Sequence, residues 1–141
     1  MIKPADLCAV AFVAITFATS AFAQPKVDLG KQEFDANCAI CHGAGAKGSG
    51  AYGELLRLSP PDLTLLAKQN QGVFPMARLY EVVEGSNVPA HGTRDMPIWG
   101  KEFRAQDAQY YLEARGHYDS AALVRARILL LLEYINRLQI R

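Results

Sequence analysis

Cys38, Ala39, Ile40, Cys41 and His42 stand together as C-x-x-C-H, two thiols three positions apart with an imidazole directly after the second. Thiols at that spacing reach neighbouring pyrrole rings of one porphyrin and can each add to a vinyl group, and the histidine that follows is carried beneath the iron. The motif therefore predicts covalent haem c, held through Cys38 and Cys41, with His42 as an axial metal ligand. C-x-x-C by itself could also be a redox dithiol or half of a zinc site. No strand pattern leads into the motif and no second C-x-x-C or H-x-x-x-H pair is present, which argues against both. The motif occurs once, so one haem per chain is expected.

A six-coordinate iron needs a second axial ligand, and the candidates are Met76, Met96, His91 and His117. Met76 falls on the apolar stripe of a helical pattern, where methionine is usually core filler. His117 sits in the polar stretch Arg115-Gly116-His117-Tyr118-Asp119 and reads as a surface residue. Met96 lies in the constrained loop Asp95-Met96-Pro97-Ile98-Trp99-Gly100, where a thioether can project at iron with little else to bury it. His91 is a rival because imidazole also ligates haem, but the backbone at Met96-Pro97 favours the methionine.

The elements that must position these groups follow from spacing. Residues 29–37 fit a short amphipathic helix running into the motif, with Leu29, Phe34 and Ala36 among its apolar positions. Glycines at 43, 45, 48, 50 and 53 exclude regular structure there and predict a loop wrapping a flat cofactor; the preceding strand and Lys-Ser/Thr ending of a P-loop are missing. Pro60 and Pro61 mark a stop before a helix over 62–69. Met76, Leu79, Tyr80 and Val83 form the i, i+3, i+4, i+7 face of a helix that Gly85 ends. Residues 86–100 read as loop. The longest helix spans 120–139, with Leu123, Ile128, Leu131, Leu132, Ile135 and Leu138 facing a core.

Lys3, an apolar run over 7–17 and Ala21-Phe22-Ala23 form a secretory signal with an A-x-A site, so residues 1–23 are expected to be removed and 24–141 to form one domain in the periplasm. The run is short of the ~20 residues that a spanning helix needs, so no integral membrane span is expected in the mature chain. Cys8 would leave with the signal, and both remaining cysteines belong to the motif. A net charge of +1 with interspersed signs gives nothing to attract nucleic acid or an anionic membrane.

Over nearly all of the mature sequence the chain resembles the class I cytochromes c. Gly30 and Phe34 precede Cys38 at the spacing by which that family crosses its first helix over its last, and Leu131 with Tyr134 supply the answering pair. The resemblance implies an all-α cytochrome c fold of four or five helices around one covalently attached haem, with crossing N- and C-terminal helices. It implies that Pro60 or Pro61 lends a carbonyl to His42, that Met96 completes ligation, and that Trp99 packs at the haem edge or in the core. Residues 103–124 exceed what a minimal member needs, with Tyr110, Tyr111, Leu112 and Tyr118 giving helical apolar content; they form either a functional surface or a plain connection.

The implied function is single-electron transfer between redox protein partners, a periplasmic or membrane-bound reductase, oxidase or dehydrogenase. Two other readings stay open: a haem subunit of a larger dehydrogenase or reductase, and an open-site haem enzyme, which a Met96 ligand would argue against.

Overall fold

The computed structural model describes residues 26–56, 58–86, 96–115 and 119–140. The expected signal segment, His91, Asp95 and His117 lie outside the described residues. Regular structure among the described residues is helical throughout: α1 (Leu29–Asn37), α2 (Ala39–His42), α3 (Leu66–Gln69), α4 (Met76–Glu84), α5 (Trp99–Arg115) and α6 (Ser120–Arg137), with 3-10 turns at Gly53–Leu55 and Leu63–Leu65. The all-α expectation is met. The excess over four or five helices comes from α2 and α3, single turns of four residues each. No helix among the described residues is long and apolar enough to cross a membrane.

Each long helix starts and faces inward for a local reason. The Asp28 carboxylate accepts from the Lys31 N–H (3.0 Å) and opens α1, and Asp119 accepts from the amides of Ala121 and Ala122 (both 3.0 Å) and opens α6. The buried face of α6 is Val124, Ile128, Leu131, Leu132, Tyr134 and Ile135. Val124 takes the inward place expected of Leu123, which is half-buried with Leu138.

α1 crosses α6 at Gly30. A Cβ there would overlap the Leu130 carbonyl oxygen and sit 3.0 Å from Tyr134 Cβ, so the backbones meet at a distance only glycine allows. One turn on, the Phe34 and Tyr134 rings lie 5.4 Å apart at 50°, a tilted pair within the range favoured by ring quadrupoles. Leu29, expected on the apolar side of α1, is instead exposed because Gly30 and Phe34 occupy the contact.

The second departure is at 99–100, expected as loop. Trp99 and Gly100 form the first turn of α5, with the Ile98 carbonyl accepting from the amides of Lys101 and Glu102 (3.0 and 3.2 Å). Proline just ahead of a helix is no obstacle to it. Gly100 is a clearance residue, since a Cβ would overlap the Glu84 carbonyl oxygen at the end of α4. The third departure is Met76, which is 38% exposed at the first position of α4 while Leu79, Tyr80 and Val83 turn inward. It is not core filler, because the stripe meets its neighbours only one turn later.

α5 is joined to α1 and α6 by one arginine. Arg127 donates from Nε and Nη2 to Glu33 of α1 (both 2.9 Å), from Nη1 to both Asp107 oxygens of α5 (3.0 and 3.1 Å), and from Nη2 to Gln106 (3.0 Å). Its guanidinium lies 4.0 Å above the buried Phe103 ring. With 19% side-chain exposure on both Arg127 and Glu33, the pair is screened far less than a surface ion pair. Arg127→Ala is expected to cost about 2 kcal/mol, because it leaves two carboxylates half-buried without a cation. Urea melts check this, and Glu33→Gln added on top of it should cost little more.

Candidate functional site

The C-x-x-C-H turn is held by its own downstream loop. The carbonyls of Ile40, Cys41 and His42 accept from the amides of Tyr52 (3.0 Å), Gly50 (3.0 Å) and Gly48 (2.8 Å), so the glycine-rich segment folds back along α2 and satisfies the acceptors at its C-terminal end. The same loop reaches onward, with Ala46 O accepting from Leu63 N–H at 2.8 Å. Where the sequence predicted wrapping, the structure shows the loop clasping the motif backbone.

His42 is buried, and its Nδ1 donates to the Pro61 carbonyl at 3.3 Å. That resolves the choice between Pro60 and Pro61. A proton on Nδ1 leaves Nε2 as the nitrogen carrying the lone pair, the tautomer suited to metal ligation.

An apolar cleft of about 310 Å³ opens beside this histidine, within the range of cofactor sites. Cys38, Cys41, His42, Met96 and Trp99 all line it, together with Pro60, Pro61, Leu63, Val83 of α4 and Leu131, Leu132 and Ile135 of α6. Among the described residues, no Asp, Glu, Lys or Arg lines it. Met76 does not line it either. Trp99 serves two purposes, since it faces the cleft and packs 5.7 Å from Phe103.

Burial pushes the Cys38 thiol up to about 12. A nucleophilic dithiol or a zinc thiolate needs the charged form near neutral pH, whereas a thioether sulfur carries no charge to desolvate. Nor do the described residues bring three of His, Cys, Asp and Glu together as a metal cluster.

Residues 27–110 match the family profile described as Cytochrome c. The chain belongs to the cytochrome c family. No curated protein and no solved structure matches it. As a cytochrome c it is a haem c protein of electron transfer, its cofactor covalently bound. The residues present fit that group: two thiols at vinyl spacing, an imidazole oriented through Nδ1, and an apolar cleft beside them whose described lining carries no charged side chain.

Sequence reasoning missed several parts of the cytochrome site, Ser59 and Leu66 among them. Leu56 and Leu58 line the cleft, and the apolar run ahead of Pro60 was the available signal. Val82 lines it from the flank of the α4 stripe. Asn37 also lines it, while its Nδ2 donates to the Glu33 carbonyl and carboxylate (both 3.1 Å), tying the cleft wall to the Arg127 cluster. No local pattern announced that.

Proposed function

We propose that this cytochrome is a monohaem periplasmic electron carrier, with thioether bonds at Cys38 and Cys41 and axial ligation by His42 and Met96. The observation that supports it is the convergence of these four residues, spread over positions 38–96, on one apolar cleft. When bound, the haem supplies one-electron exchange at its iron. His42 is held in register by the Pro61 carbonyl. Met96 offers a soft thioether, which favours the reduced metal and, with Trp99, Leu131 and Ile135 excluding water, gives a positive potential. Among the described residues, no side chain lining the cleft is placed to move a proton for a substrate, apart from the ligand His42. The protein acts as a carrier rather than an enzyme.

Residues 1–23 are read as a cleaved export signal. Partners are redox proteins that meet the molecule through exposed apolar groups such as Tyr52 and Ile98, in a small interface of the kind brief redox encounters use. A second reading, a fixed haem subunit of a dehydrogenase or reductase, draws support from Leu55, 78% exposed next to the cleft-lining Leu56. A carrier would purify alone and a subunit with its enzyme.

Two measurements test the reading. Intact mass of protein exported from cells with haem-attachment machinery should equal the chain from Gln24 plus one haem. The weak red charge-transfer band of sulfur-ligated ferric haem should be present, vanish in Met96→Ala and persist in His91→Ala. A wild-type ferric spectrum without that band, altered by His91→Ala and not by Met96→Ala, moves ligation to His91.

A further inference from the structure

Just past the end of α6, the Gln139 side chain crosses to the segment that carries the acceptor for His42. Its Nε2 donates to the carbonyls of Leu63 (2.7 Å) and Ile135 (2.9 Å), and its Oε1 accepts from the Ala67 N–H (2.8 Å). The next residue adds a backbone bond, with Ile140 N–H donating to Thr64 O at 2.9 Å. From the other side Leu63 N–H is held by Ala46 O, and Asp62 accepts from the Thr64 amide (2.8 Å) and hydroxyl (2.6 Å). Pro60 and Pro61 have no N–H with which to anchor themselves. The Pro61 carbonyl is therefore located by the Gly48 backbone packed against Pro60 and Pro61 and by its neighbours two and more residues along, on which Gln139 is the long-range side-chain tie beside the Ile140 backbone bond.

We infer that Gln139 is a positioning residue that sets the electronic character of His42 by fixing the Pro61 carbonyl; this rests on His42 being the iron ligand. The Nδ1–H to Pro61 bond is 3.3 Å, beyond the usual 2.9–3.0 Å for such bonds, so a displacement of a few tenths of an ångström decides whether it exists. A histidine that donates through Nδ1 is the more basic ligand through Nε2 and favours the oxidised metal. Without the Gln139 tie the carbonyl drifts, the imidazole becomes a poorer donor and the reduced state gains. Gln139 lies beyond the family match at residues 27–110, which assigns it nothing.

The test uses the haem-loaded, reduced protein as wild type, Gln139→Ala, Gln139→Met, which keeps the volume without the hydrogen bonds, and Arg137→Ala, which removes ion pairs and a contact over the Tyr134 ring at the same helix end but no bond to the 61–67 segment. Proton exchange at His42 Nδ1 is read by NMR, and the potential by redox titration. Both Gln139 variants should speed exchange by roughly tenfold and shift the reduced-to-oxidised ratio at fixed ambient potential roughly threefold or more toward reduced, the scale of one weakened hydrogen bond. Arg137→Ala should move neither. Gln139 variants that melt earlier with unchanged exchange and potential overturn the inference, leaving a purely structural tie. If Gln139→Ala does not fold, Gln139→Met decides alone. A wild-type Nδ1–H signal lacking the haem ring-current shift is a separate failure: it removes His42 ligation itself, before any variant is compared.

Discussion

Phe34→Ala is expected to lower the unfolding free energy by about 3–5 kcal/mol, the range for truncating a fully buried aromatic. Domains of this kind have only roughly 5–15 kcal/mol in total, so a large part of the margin sits in one ring. Phe34 has 0% exposure and packs tilted against Tyr134 at 5.4 Å at the crossing of α1 with α6. α1 also ends directly at Cys38, so its hold on α6 fixes where the haem motif begins. Gly30→Ala probes the same contact from the backbone side. Its Cβ meets a main-chain oxygen that cannot rotate away, for an expected cost of about 1–3 kcal/mol. Leu29→Ala, one residue earlier but exposed, should fall within about 0.5 kcal/mol of wild type. Urea melts followed by far-UV circular dichroism would separate the three. A Phe34→Ala midpoint no lower than that of Leu29→Ala would remove the helix crossing as the main support of α1.

The crossing was legible through the resemblance to the class I cytochromes c, which attaches it to Gly30 and Phe34 four apart and to Leu131 and Tyr134 three apart. α4 was legible to the residue from its own periodicity and the glycine that ends it. Trp99 and Gly100 were misread because proline and glycine signal a loop when the chain is read alone; only the close approach of Glu84 explains why a glycine stands in the first turn of a helix. Pro60 and Pro61 are chemically equivalent in sequence, and the direction of one carbonyl separates them. Arg127 and Gln139 were invisible for another reason. Their partners lie 94 residues away in Glu33 and 76 in Leu63, and a single polar residue on a helix reads as solvated until the fold brings its partners near. What could be read was the chemistry of the site and the periodic faces. What could not was the set of long-range polar ties that hold the site still.

The other large effect concerns the haem as part of the fold. In a Cys38→Ala, Cys41→Ala double variant no thioether can form, and acid-acetone should extract haem that the wild type keeps on the polypeptide. Once that haem is extracted, stability should fall with it. The cleft is walled by Leu131, Leu132 and Ile135 of α6, Val83 of α4 and Trp99 of α5, so three helices meet around that space and not across it. At about 24 cal/mol per Å³ of void, emptying 310 Å³ costs roughly 7 kcal/mol at most, a figure of the same order as the whole stability of a small domain. The faces of α4, α5 and α6 would then confront water instead of a macrocycle. The Phe34–Tyr134 contact between α1 and α6 lies outside the cleft and would persist longest. The haem-free variant is therefore expected to lose cooperative melting and to bind a hydrophobic dye while keeping part of its helical signal. A haem-free chain that still melts cooperatively near the wild-type temperature would mean that protein contacts alone support the fold, and would leave the cleft as a docking site rather than a structural centre.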